Sequence, residues 1–150
     1  MTRSNDESKR IESKLEVETY LQNLAYALKN GSARMKFMQE RYVDLQREER
    51  YTNRFTVGDL FPNDSPERAL KRELLTIEAG NYIETVKDLN CPQKSEMRVF
   101  GKKYSDDVYI KIRVELLNSG KAGVYDTVFV MSFHYAKYAF TESRFPYRKK

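Results

Sequence analysis

The chain has 150 residues and a formal net charge of +5, with 40% hydrophobic and 33% charged residues, which suits one domain with its own core and is too short for two ordinary ones. Aromatics at 13% argue against disorder. No apolar run approaches the roughly 20 residues that span a bilayer, and the opening MTRSNDESKR lacks the apolar stretch of a secretory signal, so a folded cytoplasmic protein with no membrane partner is expected. A single cysteine, Cys91, and a single histidine, His134, exclude an internal disulfide and the multi-cysteine zinc sites, and no cofactor or metal is expected.

In chain order, residues 1–10 are polar and of mixed charge, and are expected to fray. Ile11, Leu15, Val17, Leu21, Leu24 and Leu28 then fall on one side of a predicted helix, which Lys29, Asn30 and Gly31 bring to a stop. Residues 32–43 read both ways, with a strand expected at the start, where Met35 and Phe37 alternate with Arg34 and Lys36, and helix or loop after it. After the polar run REERYTNR, Phe55, Val57, Leu60 and Phe61 return the chain to the core. Ser65 as cap, Pro66 at the first helical position and Glu67 near the positive end predict a second helix, with Ala69, Leu70, Leu74 and Ile77 as its stripe and Gly80 as its end. NYIETVKDL is a short helical or extended piece before a break at Asn90, Cys91 and Pro92.

The remainder reads as sheet. MRVFGKKY is a short strand, and in VYIKIRVEL the residues Val108, Ile110, Ile112, Val114 and Leu116 face one way while Tyr109, Lys111, Arg113 and Glu115 face the other. Asn118, Ser119, Gly120 and Gly123 mark a turn, and VFVMSFHY runs back as the partner strand. Strict alternation places His134 with Ser132 and Val130, opposite Phe129, Met131, Phe133 and Tyr135. Helices followed by an antiparallel sheet define an α+β fold.

The polar face of VYIKIRVEL displays a phenol, an ammonium and a guanidinium. It is either a solvated face or a phosphate-binding surface on which cations neutralise a backbone and a tyrosine meets a base or ribose. Over residues 98–113, Arg98, Lys102, Lys103, Lys111 and Arg113 oppose only Asp106 and Asp107, so more than half of the chain's net charge sits there. Gly101 is either a plain turn glycine or a place for a bulge or close approach. His134 is a structural histidine on one reading. On the other, a hairpin brings it to Tyr109, where an imidazole that titrates near neutrality moves protons while the neighbouring cations stabilise a pentavalent phosphorane, as RNA cleavage by its own 2′-hydroxyl requires. The tail RFPYRKK is a solvated end or an auxiliary RNA contact.

VYIKIRVEL followed by VFVMSFH resembles the last two strands of the MqsR-type mRNA interferases, RelE-like bacterial toxins with VYLKI-like and VSFK-like segments. LQNLAYALKNGSARMKF is similar to their opening helix, glycine and strand, and GDLFPNDSPERALKRELLTIEAGNYIETVKD to their central helix and the motif before the sheet. An insertion over residues 43–53 lengthens the chain relative to that pattern. The resemblance implies a RelE-like fold, cleavage of mRNA in a ribosomal context, a cognate antitoxin as protein partner, and a functional role for Tyr109. The family's lysine after SF corresponds to His134, a second lysine falls near Glu84 with Lys87 close by, and a family glutamine has no counterpart. His134, Tyr109 and Lys111 are thus the catalytic candidates, with Arg98, Lys102, Lys103 and Arg113 as RNA-binding residues. The alternatives are a non-catalytic RNA- or protein-binding module using the same face, and an interaction protein docking through the helix over residues 12–28.

Overall fold

Strands β1 (Glu7–Arg10), β2 (Arg34–Phe37), β3 (Tyr82–Asp88), β4 (Met97–Lys103), β5 (Asp107–Glu115) and β6 (Thr127–Tyr135) form one sheet in the order β1-β3-β4-β5-β6-β2. In this computed structural model, which describes residues 7–29, 33–40, 45–91, 93–115 and 127–148, all neighbours pair antiparallel except β2 and β6, which are parallel. The expected turn around Asn118 and Gly120 and the positions Asn30, Gly31 and Pro92 lie outside the described residues. The fold is α+β as expected, but the helices do not simply precede the sheet: β1 comes before the first helix and β2 follows it, each closing one edge. Glu7–Arg10 therefore pairs where fraying was expected. Its charged side chains suit a short edge strand, and Arg10 clasps Glu96 with two hydrogen bonds of 2.9 and 2.7 Å while Lys9 lies 3.5 Å from Glu84.

Helices α1 (Lys14–Lys29), α2 (Asn53–Leu60) and α3 (Pro66–Leu74) share one face of the sheet. The stripe of α1 buries Val17, Leu24, Ala27 and Leu28 against Ile110, Val130 and the other inward residues of β5 and β6, whereas Ile11 and Leu15 are exposed. α2, where sequence showed only apolar residues returning to the core, starts at Thr52, whose hydroxyl accepts from the Phe55 N–H. α3 begins as its sequence predicts, with Ser65 accepting from Arg68 N–H and Pro66 in the first turn, and buries Ala69, Leu70 and Leu74. It ends at Leu74, before Gly80, which lies in a 3₁₀ turn over Ala79–Asn81 leading into β3. NYIETVKDL is thereby extended, not helical. Among the described residues no helix is long and apolar enough to cross a membrane.

A buried polar knot ties the first residues of the chain to the last. The Glu12 carboxylate, 4% exposed, receives Arg98 Nε at 2.8 Å and Nη2 at 3.3 Å, together with the Thr85 hydroxyl. Because the Thr85 proton goes to Glu12, the Tyr82 hydroxyl, 2.7 Å away, donates to Thr85, and it accepts from the Glu12 N–H at 3.0 Å. Arg98 also lies 4.4 Å over the Tyr20 ring, and Tyr147 stacks on Tyr82 and donates its hydroxyl to the Glu12 carbonyl. Burial alone would push the Glu12 carboxyl up, but the bonds from Arg98 and Thr85 and the charges of Arg98 and Arg10 outweigh it and hold the group below the usual carboxylate range.

The second face of the sheet is partly covered by residues 136–148. Phe145 is buried with Ile83, Val86, Met97 and Val99, and Phe140 packs edge-on against it at 5.7 Å. Within RFPYRKK, then, Phe145 is buried and Tyr147 and Arg148 are half-buried while Arg144 and Pro146 are exposed, so the solvated end holds only in part; Lys149 and Lys150 lie outside the described residues. Gly101 makes this covering possible from the middle of β4, where it neither turns nor bulges: a Cβ there would stand 2.7 Å from Phe140 Cε2 and 3.0 Å from Phe145 Cζ. In a strand interior, glycine to alanine ordinarily gains about 0.5–1 kcal/mol. Here overpacking against rigid rings reverses the sign, and Gly101→Ala is expected to cost about 1–3 kcal/mol. Thermal unfolding checks this; a melting temperature at or above that of the wild type would contradict the packing.

Candidate functional site

The site rests on the β5–β6 pair. Val108, Ile110 and Ile112 of β5 are fully buried under the helices, so Tyr109, Lys111 and Arg113 project to the second face, as alternation predicts. β6 departs from alternation. Lys111 pairs with Ser132 but Ile112 pairs with Val130, which leaves Met131 as an extra residue in a β-bulge. Val128, Val130, Phe133 and Tyr135 face the helices, while Ser132 and His134 lie opposite Lys111 and Tyr109. The predicted grouping of His134 with Val130 and opposite Phe129 and Met131 is therefore corrected: one extra residue inverts the parity of the strand after position 130.

The bulge sits where β6 runs past the end of β2, whose pairing stops at Phe37 with Val130. There α2 covers the exposed edge with side chains. The Asn53 amide donates to the carbonyls of Met38 at 2.7 Å and Met131 at 3.0 Å, and its oxygen accepts from the Phe133 N–H at 3.0 Å. One turn later the Thr56 hydroxyl accepts from the Tyr135 N–H at 2.9 Å. The Tyr135 hydroxyl donates to Asp59 at 2.6 Å.

Beyond Tyr135 the chain turns, with the Ala136 N–H donating to the Asp107 carbonyl at 2.8 Å and the Phe140 N–H to the Asp107 carboxylate at 2.9 Å. It then crosses β4 and leaves a cleft of about 340 Å3 over β5 and β6. On its floor the rings of Tyr109 and His134 stack at 5.4 Å and 25°, beside Lys111 and the buried Ser132. His134 Nδ1 lies 3.0 Å from the Tyr135 carbonyl. A carbonyl only accepts, so Nδ1 is the donor in this contact, and in the neutral imidazole Nε2 keeps the lone pair. Arg47, Lys137 and Arg144 line the same cleft, Tyr138 at its rim is 76% exposed, and Glu7 approaches Lys111 Nζ to 3.6 Å. Cations outnumber acids, and flat rings stand among them: the chemistry of a surface for phosphate and bases.

Of the sequence-predicted residues, Tyr109, Lys111 and His134 come together in this cleft. Arg113 shares their face two residues along β5, lying 4.3 Å over the Phe129 ring and 3.5 Å from Glu115. Lys103 is exposed at the end of β4 opposite Asp107, away from the cleft lining. Arg98 and Lys102 lie on the helix side. Arg98 is held by Glu12, and Lys102 reaches Thr76 and the Tyr104 ring, because residues 98, 100 and 102 share one side of β4 and Phe100 is in the helix-covered core. Arg47 and Lys137, which sequence reasoning did not place at the site, take their position in the lining, as does Arg144 of the tail that was read as a solvated end or an auxiliary RNA contact. Glu84 and Lys87, near which the family's second lysine falls, are on β3, outside the cleft lining. Among the described residues no group of three or more histidine, cysteine or acidic side chains converges as a metal site. Neither a family model, a curated protein nor a solved structure matches this chain.

Proposed function

We propose that the protein is a toxin-like endoribonuclease of RelE-like fold that cleaves mRNA, in a ribosomal context and under the control of a cognate antitoxin. The observation that carries the reading is the convergence of the His134 imidazole, its Nε2 an acceptor, with Tyr109 and Lys111 in a cleft lined by further cations. The resemblance of the β5 and β6 segments to the mRNA interferases adds the substrate class and the protein partner. Chemically, Nε2 takes the proton of a ribose 2′-hydroxyl and the 2′-oxygen attacks the adjacent phosphorus. The bond to the 5′-oxygen breaks, that oxygen takes up a proton, and the products are a 2′,3′-cyclic phosphate and a free 5′-hydroxyl. Tyr109 orients the ribose or the scissile phosphate, while Lys111, with Arg144 and Lys137, balances charge on the phosphorane. Arg98 and Lys102, turned to the other side of the sheet, have no part in it.

Induced expression in a bacterial host tests the reading. The wild type is expected to arrest growth and create recurrent mRNA 5′ ends bearing hydroxyls, and Tyr109→Phe and Lys111→Ala to lose them. Soluble protein that creates no new ends, with purified protein inert on RNA and on translating ribosomes, would leave the cleft as a binding surface and remove the enzyme. Binding itself has an ionic signature. For single-stranded RNA bound to a catalytically silenced chain, Lys111→Ala is expected to lower the slope of log affinity against log salt by about 0.7, the share of one phosphate contact. An unchanged slope would show that Lys111 meets no phosphate.

A further inference from the structure

We infer that Asn53 is a positioning residue, which aims Ser132 and His134 into the cleft by bonding the backbone of the Met131 bulge. The inference rests on the ribonuclease reading for its activity arm alone. Two forces act on β6 beyond Val130. Burial of the Phe133 and Tyr135 rings, both fully inaccessible, selects the bulged register over the regular one, in which they would turn outward. Burial is non-directional and leaves the local shape open. That shape is set by hydrogen bonds, and on the edge of β6 past the end of β2 the Met131 carbonyl and the Phe133 N–H are met by Asn53 in place of a strand.

Asn53 meets these groups atom by atom. Its side chain is 0% exposed, its two N–H donors reach the Met38 and Met131 carbonyls, and its oxygen takes the Phe133 N–H. Aspartate is nearly isosteric but would oppose two carbonyls with a carboxylate, and alanine would leave buried backbone groups unpaired. Nor does the helix need an asparagine there. Thr52 already caps α2, and asparagine is among the weaker helix formers. Without the amide, the Met131 carbonyl and Phe133 N–H must move to find partners. Ser132 lies between them and His134 follows, and with that movement goes the alignment of His134 Nδ1 on the Tyr135 carbonyl.

The chain's single histidine makes the test direct, since imidazole nitrogen NMR reads His134 alone. The wild type is expected to show one dominant tautomer protonated on Nδ1. In folded Asn53→Ala and Asn53→Asp a mixture is expected, with kcat for RNA cleavage lowered about 10²-fold and KM little changed, the pattern of a displaced catalytic group. A wild-type tautomer and wild-type kcat in folded Asn53→Ala would overturn the inference. If Asn53→Ala does not fold, the nearly isosteric Asn53→Asp decides, and a wild-type tautomer with wild-type kcat in folded Asn53→Asp overturns the inference. A wild-type chain that cuts no RNA removes the ribonuclease reading only, because the spectrum is measured without RNA.

Discussion

His134→Ala is expected to lower RNA cleavage by about 10²–10⁴-fold, the usual contribution of a positioned acid or base, while RNA affinity stays close to that of the wild type. The separation follows from the cleft. Its cations, Lys111, Arg47, Lys137 and Arg144, remain in the variant, and the proposed reading gives them the attraction for phosphate and the imidazole the proton transfer. On the proposed reading Nδ1 donates to the Tyr135 carbonyl and Nε2 is the base, which a proton on Nε2 disables. The wild-type rate is therefore expected to fall as the imidazole gains its proton, and this acid limb should vanish from the residual activity of His134→Ala. Cleavage of a fluorescent oligonucleotide across the pH range measures both. A variant with full activity and an unchanged limb would assign the proton transfer elsewhere, and equal losses of binding and cleavage would make His134 a structural support.

The second large effect concerns stability. Glu12→Gln removes the carboxylate from a guanidinium that is only 17% exposed and keeps its charge, so the Arg98 side chain is left buried without its counter-ion. Breaking such pairs costs about 3–5 kcal/mol, and the residual exposure of Arg98 places the expectation near the lower end. At about 2–4 °C per kcal/mol for a chain of this size, the melting temperature is expected to drop by roughly 6–12 °C. The sign of the pH dependence is set by the same contact. The folded-state pKa of Glu12 is depressed, so its contribution is fully present above the ordinary carboxylate pKa and is lost as pH falls through the folded value. Glu96, lowered by its hydrogen bonds from Arg10, adds to the loss over the same acidic window. Wild-type stability should thus decline more steeply with acid than that of Glu12→Gln. Parallel declines in calorimetric scans from neutral pH down to acid would mean that the pair contributes nothing specific.

Tyr109 and Lys111 were legible because β5 is regular and one of its faces is buried from Val108 to Ile112, the condition under which a period of two can be read directly. His134 was legible only as a neighbour of Tyr109. Its facing depends on the Met131 bulge, whose hydrogen-bond partner lies 78 residues earlier in a segment that reads as polar filler. Arg98 and Lys102 were misplaced for a related reason: the clustering of charge along the chain says nothing about which side of β4 each residue takes, and the buried Glu12 that claims Arg98 stands 86 residues away. α2 was hidden by its mixed composition, since NRFTVGDL buries Asn53 and Thr56 alongside Val57. In the tail, four cations drew attention from Phe145 and Tyr147, whose rings pack inside the structure.

The covering of the second face also orders events during synthesis. Lys137, Tyr138, Phe140 and Arg144 belong to the cleft, and Phe145 and Tyr147 anchor the segment that carries them, yet all emerge from the ribosome after every strand of the sheet. A nascent chain paused after β6 would expose Gly101 and a bare β4, with Tyr109 and His134 lying on an open surface. Cleft formation thus waits for residues 136–147 to follow β6, and Tyr109 and His134 gain their full surroundings only after the sheet itself has been made.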